Sequence, residues 1–153
     1  MGLDMYMIAR RYLSAYDKNE TVQTARTALA ETMSNLGAPA GSKIDIVHVE
    51  VAYWRKANAV HNWMVKNIQY GKDDCGEYYF SREKMQKLLD ARYTVLSDFT
   101  KVEETLPPTS GFLFGSTQID SDYWLDIEHT RDRLIECLKT DRTEWDFYYQ
   151  SSW

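Results

Sequence analysis

The sequence predicts an α+β fold, a single domain with about four helices packed on a small sheet that includes the N- and C-terminal strands. Alternation of period two near both ends is the first observation behind it. Tyr6 and Ile8 oppose Met5, Met7 and Ala9, while Trp145, Phe147 and Tyr149 alternate with Asp146, Tyr148 and Gln150. The second is that apolar residues spaced by three and four recur between these segments. The third is size: 153 residues without an internal repeat read as one domain, 1–153, able to bury a core without disulfides or metal.

Residues 4–12 carry apolar groups on both faces, which predicts an interior strand. A polar turn follows at 17–20, and Asn19 or Thr21 caps a helix with Val22, Ala25, Leu29, Met33 and Leu36 on its inner stripe. Gly37 ends that helix, and GAPAGS at 37–42 is a mobile loop. The β-branched residues of 43–51 favour a second strand. The segment 52–68, AYWRKANAVHNWMVKNI, reads as one helix closed by Gly71. Its buried stripe is Tyr53, Ala57, Val60, Met64 and Ile68, with Trp54, Asn58, His61 and Val65 beside it. In the turn at 73–77, Gly76 supplies a positive φ and Cys75 is a small buried residue; 78–80 is then extended. Ser81 caps a third helix with Met85, Leu88, Leu89, Leu96, Phe99 and the stem of Arg92 inward, and Leu106-Pro107-Pro108 stops it. TSGFLFGST at 109–117 is a loop or short hairpin strand. Asp120 or Ser121 caps a fourth helix that turns Trp124, Ile127, Arg131, Leu134 and Leu138 inward or partly inward.

Composition excludes several function classes. A net charge of −5 argues against an extended nucleic-acid surface, and no apolar run is long enough for a transmembrane helix. Two cysteines and no secretory pattern predict a reducing cytoplasm. Met1-Gly2 is not followed by Ser or Thr at position 6, which is Tyr6, so a myristoylation start is not expected.

The densest chemistry lies at 54–63. Arg55 and Lys56 stand where a helix dipole is positive and backbone donors are open, a setting for an anion. Trp54 or Trp63 would stack a ring, and Asn58 and His61 would read polar edges. Gly115, Ser116 and Thr117 of the glycine loop would close over the ligand. The plainer alternative makes Trp54 and Trp63 core anchors, pairs Arg55 and Lys56 with surface acids, and leaves His61 as a hydrogen-bonded structural residue. The loop is neither a Walker A motif nor a dinucleotide fingerprint. His61 could activate Cys75 as a nucleophile, but Asp73, Asp74 and Glu77 beside Cys75 oppose a thiolate. The scattered His48, His61 and His129 match no metal motif, so no metal, no cofactor and no catalytic residue are expected.

GLDMYM, VAYWRKANAVHNW, DCGEYYFS, LPPTSGFLFGST and DFYYQSSW, taken together, resemble a family of small bacteriophage and prophage proteins without an assigned function. The likeness touches both termini and the middle, while 13–45 and 82–105 add little. It implies a phage accessory protein acting in the bacterial cytoplasm, and such proteins often resemble counter-defence factors. The expected function is therefore a non-catalytic sponge, a homo-oligomer that sequesters a nucleotide-like anionic molecule. Trp54 would stack, Arg55 and Lys56 would hold phosphate, Asn58 and His61 would read the polar edge, and Gly115, Ser116 and Thr117 would supply loop contacts. One alternative is an inhibitor that binds a host immune protein, such as a CRISPR or other defence effector, through acids such as Asp122 or Glu128. A second alternative is a small hydrolase using Cys75 and His61.

Overall fold

The terminal strands pair with each other at the centre of one antiparallel sheet, in a computed structural model that describes residues 2–153. The elements run β1 (Asp4–Tyr12), α1 (Glu20–Asn35), β2 (Ile46–Arg55), α2 (Asn58–Asn67), β3 (Glu77–Tyr79) and α3 (Arg82–Ser97). A 3-10 turn at Phe99–Lys101 then leads into α4 (Val102–Thr105), followed by α5 (Ser121–Lys139) and β4 (Asp146–Ser152). The strand order is β2-β1-β4-β3, which makes β1 an interior strand and the fold α+β, as the alternation predicts.

One face of the sheet is the floor of the core. Met5, Met7 and Ala9 of β1 lie beside Trp54 and Ala52 of β2 and beside Tyr149 and Phe147 of β4. Val60, Met64 and Trp63 of α2, Met85, Leu88 and Val95 of α3, and Ile127 and Leu134 of α5 close over them. The opposite face carries Tyr6, Ile8, Arg10, Tyr53, Tyr79 and Tyr148, and no residue of this set belongs to the buried core among the described residues.

The segment 52–68 is not one helix. Its first four residues complete β2, because Met5 pairs with Trp54, Tyr6 with Tyr53 and Asp4 with Arg55. Lys56 and Ala57 turn the chain, and the helix starts at Asn58. Ala57, Val60, Met64 and Ile68 are buried as the stripe predicts, but Tyr53 lies on the open face of the sheet. Aromatic spacing that fits one turn of helix also fits a strand when only two or three residues are counted, and sheet pairing decided between them.

Other helical phases shift by one residue. On α5 the buried stripe is Tyr123, Ile127, Thr130, Leu134 and Cys137, leaving Trp124, Arg131 and Leu138 half-buried. On α3 Val95 replaces Leu96 in the core, and Phe99 is exposed, tilted against Trp124. Asn19 caps α1 as predicted, and the N–H groups of Gly37 and Ala38 return to the Ser34 and Met33 carbonyls in a Schellman ending. Yet only Val22 of α1 is buried; Ala25, Leu29 and Met33 are partly open and Leu36 is exposed. Cys75 is exposed rather than buried, and Gly76 does not have the positive φ expected of it. Its hydrogen atom makes room instead, since a Cβ there would come 2.7 Å from an Asp74 carboxylate oxygen.

Candidate functional site

A cavity of about 410 Å³ opens where β2 ends, α2 begins and the 109–119 loop passes into α5. Its making starts with three residues of backbone. Lys56 adopts φ +62, held by its N–H bond to the Leu3 carbonyl. Ala57 (φ −73, ψ 65) forms an inverse γ-turn in which the Asn58 N–H bonds the Lys56 carbonyl at 2.7 Å. The sharp turn sets the N-terminus of α2 against the cavity. Ala57 offers no side-chain cap, and no acid occupies the first turn. The first intrahelical bond runs from His61 to Ala57, so the Ala59 and Val60 N–H groups precede it, and both residues line the cavity.

Arg55 and Lys56 line the same cavity and form no ion pair among the described residues. Gly115 (φ +92) packs its Cα against Lys56: a Cβ there would meet the Lys56 Cβ at 3.1 Å. The loop glycine thus permits both a left-handed turn and close approach to the cation. Ser116 also lines the cavity, whereas Thr117 does not.

Asn58 lines the cavity, but its amide is fully engaged with the loop. Nδ2 donates to the Ser116 carbonyl at 2.7 Å and the Phe114 carbonyl at 3.2 Å, and Oδ1 accepts from the Thr109 N–H at 3.1 Å. Asn58 therefore shapes the site by fixing 109–116. Trp54 is also a positioning residue, not a stacking platform. It is 2% exposed, and its Nε1 donates to Thr130 Oγ1, which donates in turn to the Asp126 carbonyl. This chain ties β2 to the turn of α5 that lines the cavity. Trp63 is likewise in the core.

His61 lies outside the cavity with 0% exposure. Nδ1 bonds the Tyr149 hydroxyl at 2.7 Å and Nε2 bonds Asp73 at 2.9 Å; Asp73 also accepts from Trp153 Nε1. Burial pushes the imidazole below its usual value, against the opposing pull of Asp73. A neutral ring that accepts from Tyr149 and donates to Asp73 satisfies every partner. Both nitrogens are occupied, so His61 is not available as a base for Cys75.

Three carboxylates that the sequence did not mark as part of the site belong to it as well. Asp120, Asp122 and Asp126 of α5 and its approach line the same cavity as the cations, together with Tyr123, Leu125 and Ile127. Asp120 Oδ1 caps α5, accepting from the Asp122 and Tyr123 N–H groups. Asp126 makes no side-chain hydrogen bond or ion pair among the described residues, and burial followed by repulsion from Asp122 and Asp120 pushes its carboxyl up to about 6. The signal for it was present in the sequence as an Asp repeated four positions apart on one helix face. Glu128, by contrast, is tied to Arg92 and Arg131.

The fold and site thus define a small α+β protein with a one-sided antiparallel sheet and a cavity lined by both cations and carboxylates. No family model matches the chain, and no solved structure matches it. Among curated proteins, penicillin-binding protein 1B of Escherichia coli (strain K12) is 30% identical over 80 residues, 52% of this chain. The chain spans 8% of that protein's length. No helix is long and apolar enough to cross a membrane among the described residues.

Proposed function

We propose that this protein binds a small anionic ligand of nucleotide type in the cavity at the start of α2 and holds it without chemical change. The carrying observation is the uncapped N-terminus of α2 beside a 410 Å³ cavity that Arg55 and Lys56 also line, neither in an ion pair among the described residues. Open backbone donors, a positive dipole end and two cations all favour the same charge. Together with the resemblance to phage proteins, this supports a counter-defence role in which a nucleotide signal is sequestered in the bacterial cytoplasm.

Thermal shift with a panel of mono-, di-, cyclic and NAD-derived nucleotides tests it, followed by recovery of the ligand from heat-denatured protein. A ligand that raises the melting point and returns unchanged is the expected result; one that returns altered would make the protein an enzyme. Arg55→Ala and Lys56→Gly should each weaken binding by roughly 10- to 100-fold, the range of one charge-assisted contact, with the melting point of the free protein nearly unchanged.

A second reading, an inhibitor that docks on a host immune protein, is favoured by the sheet face opposite the core, with Tyr6, Tyr53, Tyr79 and Tyr148. Tyrosine suits such surfaces because it has an apolar body and a polar tip. If no nucleotide shifts the melting point, Tyr79→Ala and Tyr148→Ala become the informative variants.

A further inference from the structure

The cavity is far larger than one phosphate, and its lining includes Asp120, Asp122 and Asp126 besides the cations. Asp126 has a half-buried carboxylate with no side-chain partner among the described residues, and Arg55 and Lys56, which line the same cavity, form no ion pair among them either. Leu125, Ile127, Val60 and Tyr123 also line the cavity. A ligand that completes this arrangement has an anion at one end, a flat apolar middle and a pair of hydrogen-bond donors at the other. A bridging metal is a poorer fit, because no group of three or more His, Cys, Asp or Glu residues converges to hold one among the described residues.

Resting on the anion-binding reading above, we infer that the ligand is a guanine nucleotide, with phosphate toward Lys56 and the α2 N-terminus and the guanine edge on the Asp126 carboxylate. Guanine carries two adjacent donors, N1–H and the 2-amino group, which match the two oxygens of a carboxylate. Adenine and cytosine each set an amino group beside a ring-nitrogen lone pair, which a carboxylate repels. The carboxyl of Asp126 titrates at about 6, so the charged acceptor form dominates at pH 7.5.

The test is calorimetric titration at pH 7.5 of the full chain with GMP, IMP, AMP and inorganic phosphate. GMP is expected to bind at least about ten-fold more tightly than IMP, which lacks the 2-amino donor, and than AMP. Asp126→Asn offers one acceptor and one donor, complementary to adenine, so this variant should reverse the order and prefer AMP. Its circular dichroism and melting point establish that it is folded. If nucleotides bind with no preference among bases, or if Asp126→Asn keeps the preference for GMP, the guanine assignment is overturned while the anion site stands. If neither phosphate nor any nucleotide binds, both fail together.

Discussion

Asn58 has both ends of its amide committed to the loop that forms one side of the cavity. Replacing it by Ala removes three hydrogen bonds and leaves the Phe114 carbonyl, 5% exposed by residue, without its partner. Asn58→Ala should cost about 2 kcal/mol in urea denaturation; a cost near zero would mean that water replaces the amide. Lys56 behaves in the opposite way. Its positive φ is a conformation that a non-glycine residue adopts at a cost of about 1 kcal/mol or more. Lys56→Gly should therefore keep or slightly raise the melting temperature while losing anion binding. A clear fall in stability would show that the lysine stem packs as structure. Asp126 is the third such residue. Burial pushes its folded-state carboxyl up to about 6 from an ordinary value of 3.8, so ionisation is disfavoured by the fold. Its contribution to stability is present at low pH and is lost as the pH rises between about 4 and 6. Asp126→Asn should melt higher than the parent protein at pH 7, as a residue kept for a ligand would.

At the scale of elements, α1 stands apart from the rest. β1 is paired on both sides and contributes Met5 and Met7 at 0% exposure. α1 buries one residue, Val22, and is held by polar links from Gln23 to the Ser14 and Asp17 carbonyls and from Arg26 to the Ile44 carbonyl. Local opening follows buried apolar contact, so amides of α1 should exchange with solvent orders of magnitude faster than those of β1. Equal protection in the two elements, measured by hydrogen exchange, would show that α1 is docked more firmly than its burial implies. The edge strand β2 is treated differently along its length. Arg133 Nε donates to the Val51 carbonyl and His129 bonds the Tyr53 carbonyl, so α5 occupies the outer edge beside the cavity. That half of β2 is closed to further strand pairing.

At the scale of the whole molecule, His61 links α2, the 73–77 turn, β4 and the C-terminal Trp153 through one buried ring. Its folded-state pKa lies below 6.5, so the unfolded chain takes up the proton first. Stability from this group is complete above pH 6.5 and falls as the pH drops below it. Asp126 acts with the opposite sign between about 4 and 6, and partly offsets the loss. Urea midpoints measured from pH 8 to pH 4 should fall more steeply in Asp126→Asn than in the parent. Parallel curves would show that the two groups do not govern acid stability.

Much of this was legible in the sequence, and the reason is local. Alternation at 4–12 and near the C-terminus, the Asn19 cap and the Gly37 stop rest on properties of a few neighbouring residues, whereas the third helix ends at Ser97, before the prolines expected to stop it. The sequence also pointed to Arg55, Lys56, Gly115 and Ser116, and the structure brings these four to the lining of one cavity. Pairing between distant segments decided the rest. Only the register of β1 against β2 turns Trp54 inward and ends the strand at Arg55. Only the approach of the 109–116 loop makes Asn58 a staple, and only the packing of Tyr149 and Asp73 closes His61 on both sides. Asp126 could not be read as part of the same cavity from sequence, since Arg55 and Lys56 lie about seventy residues earlier and are brought there by the sheet.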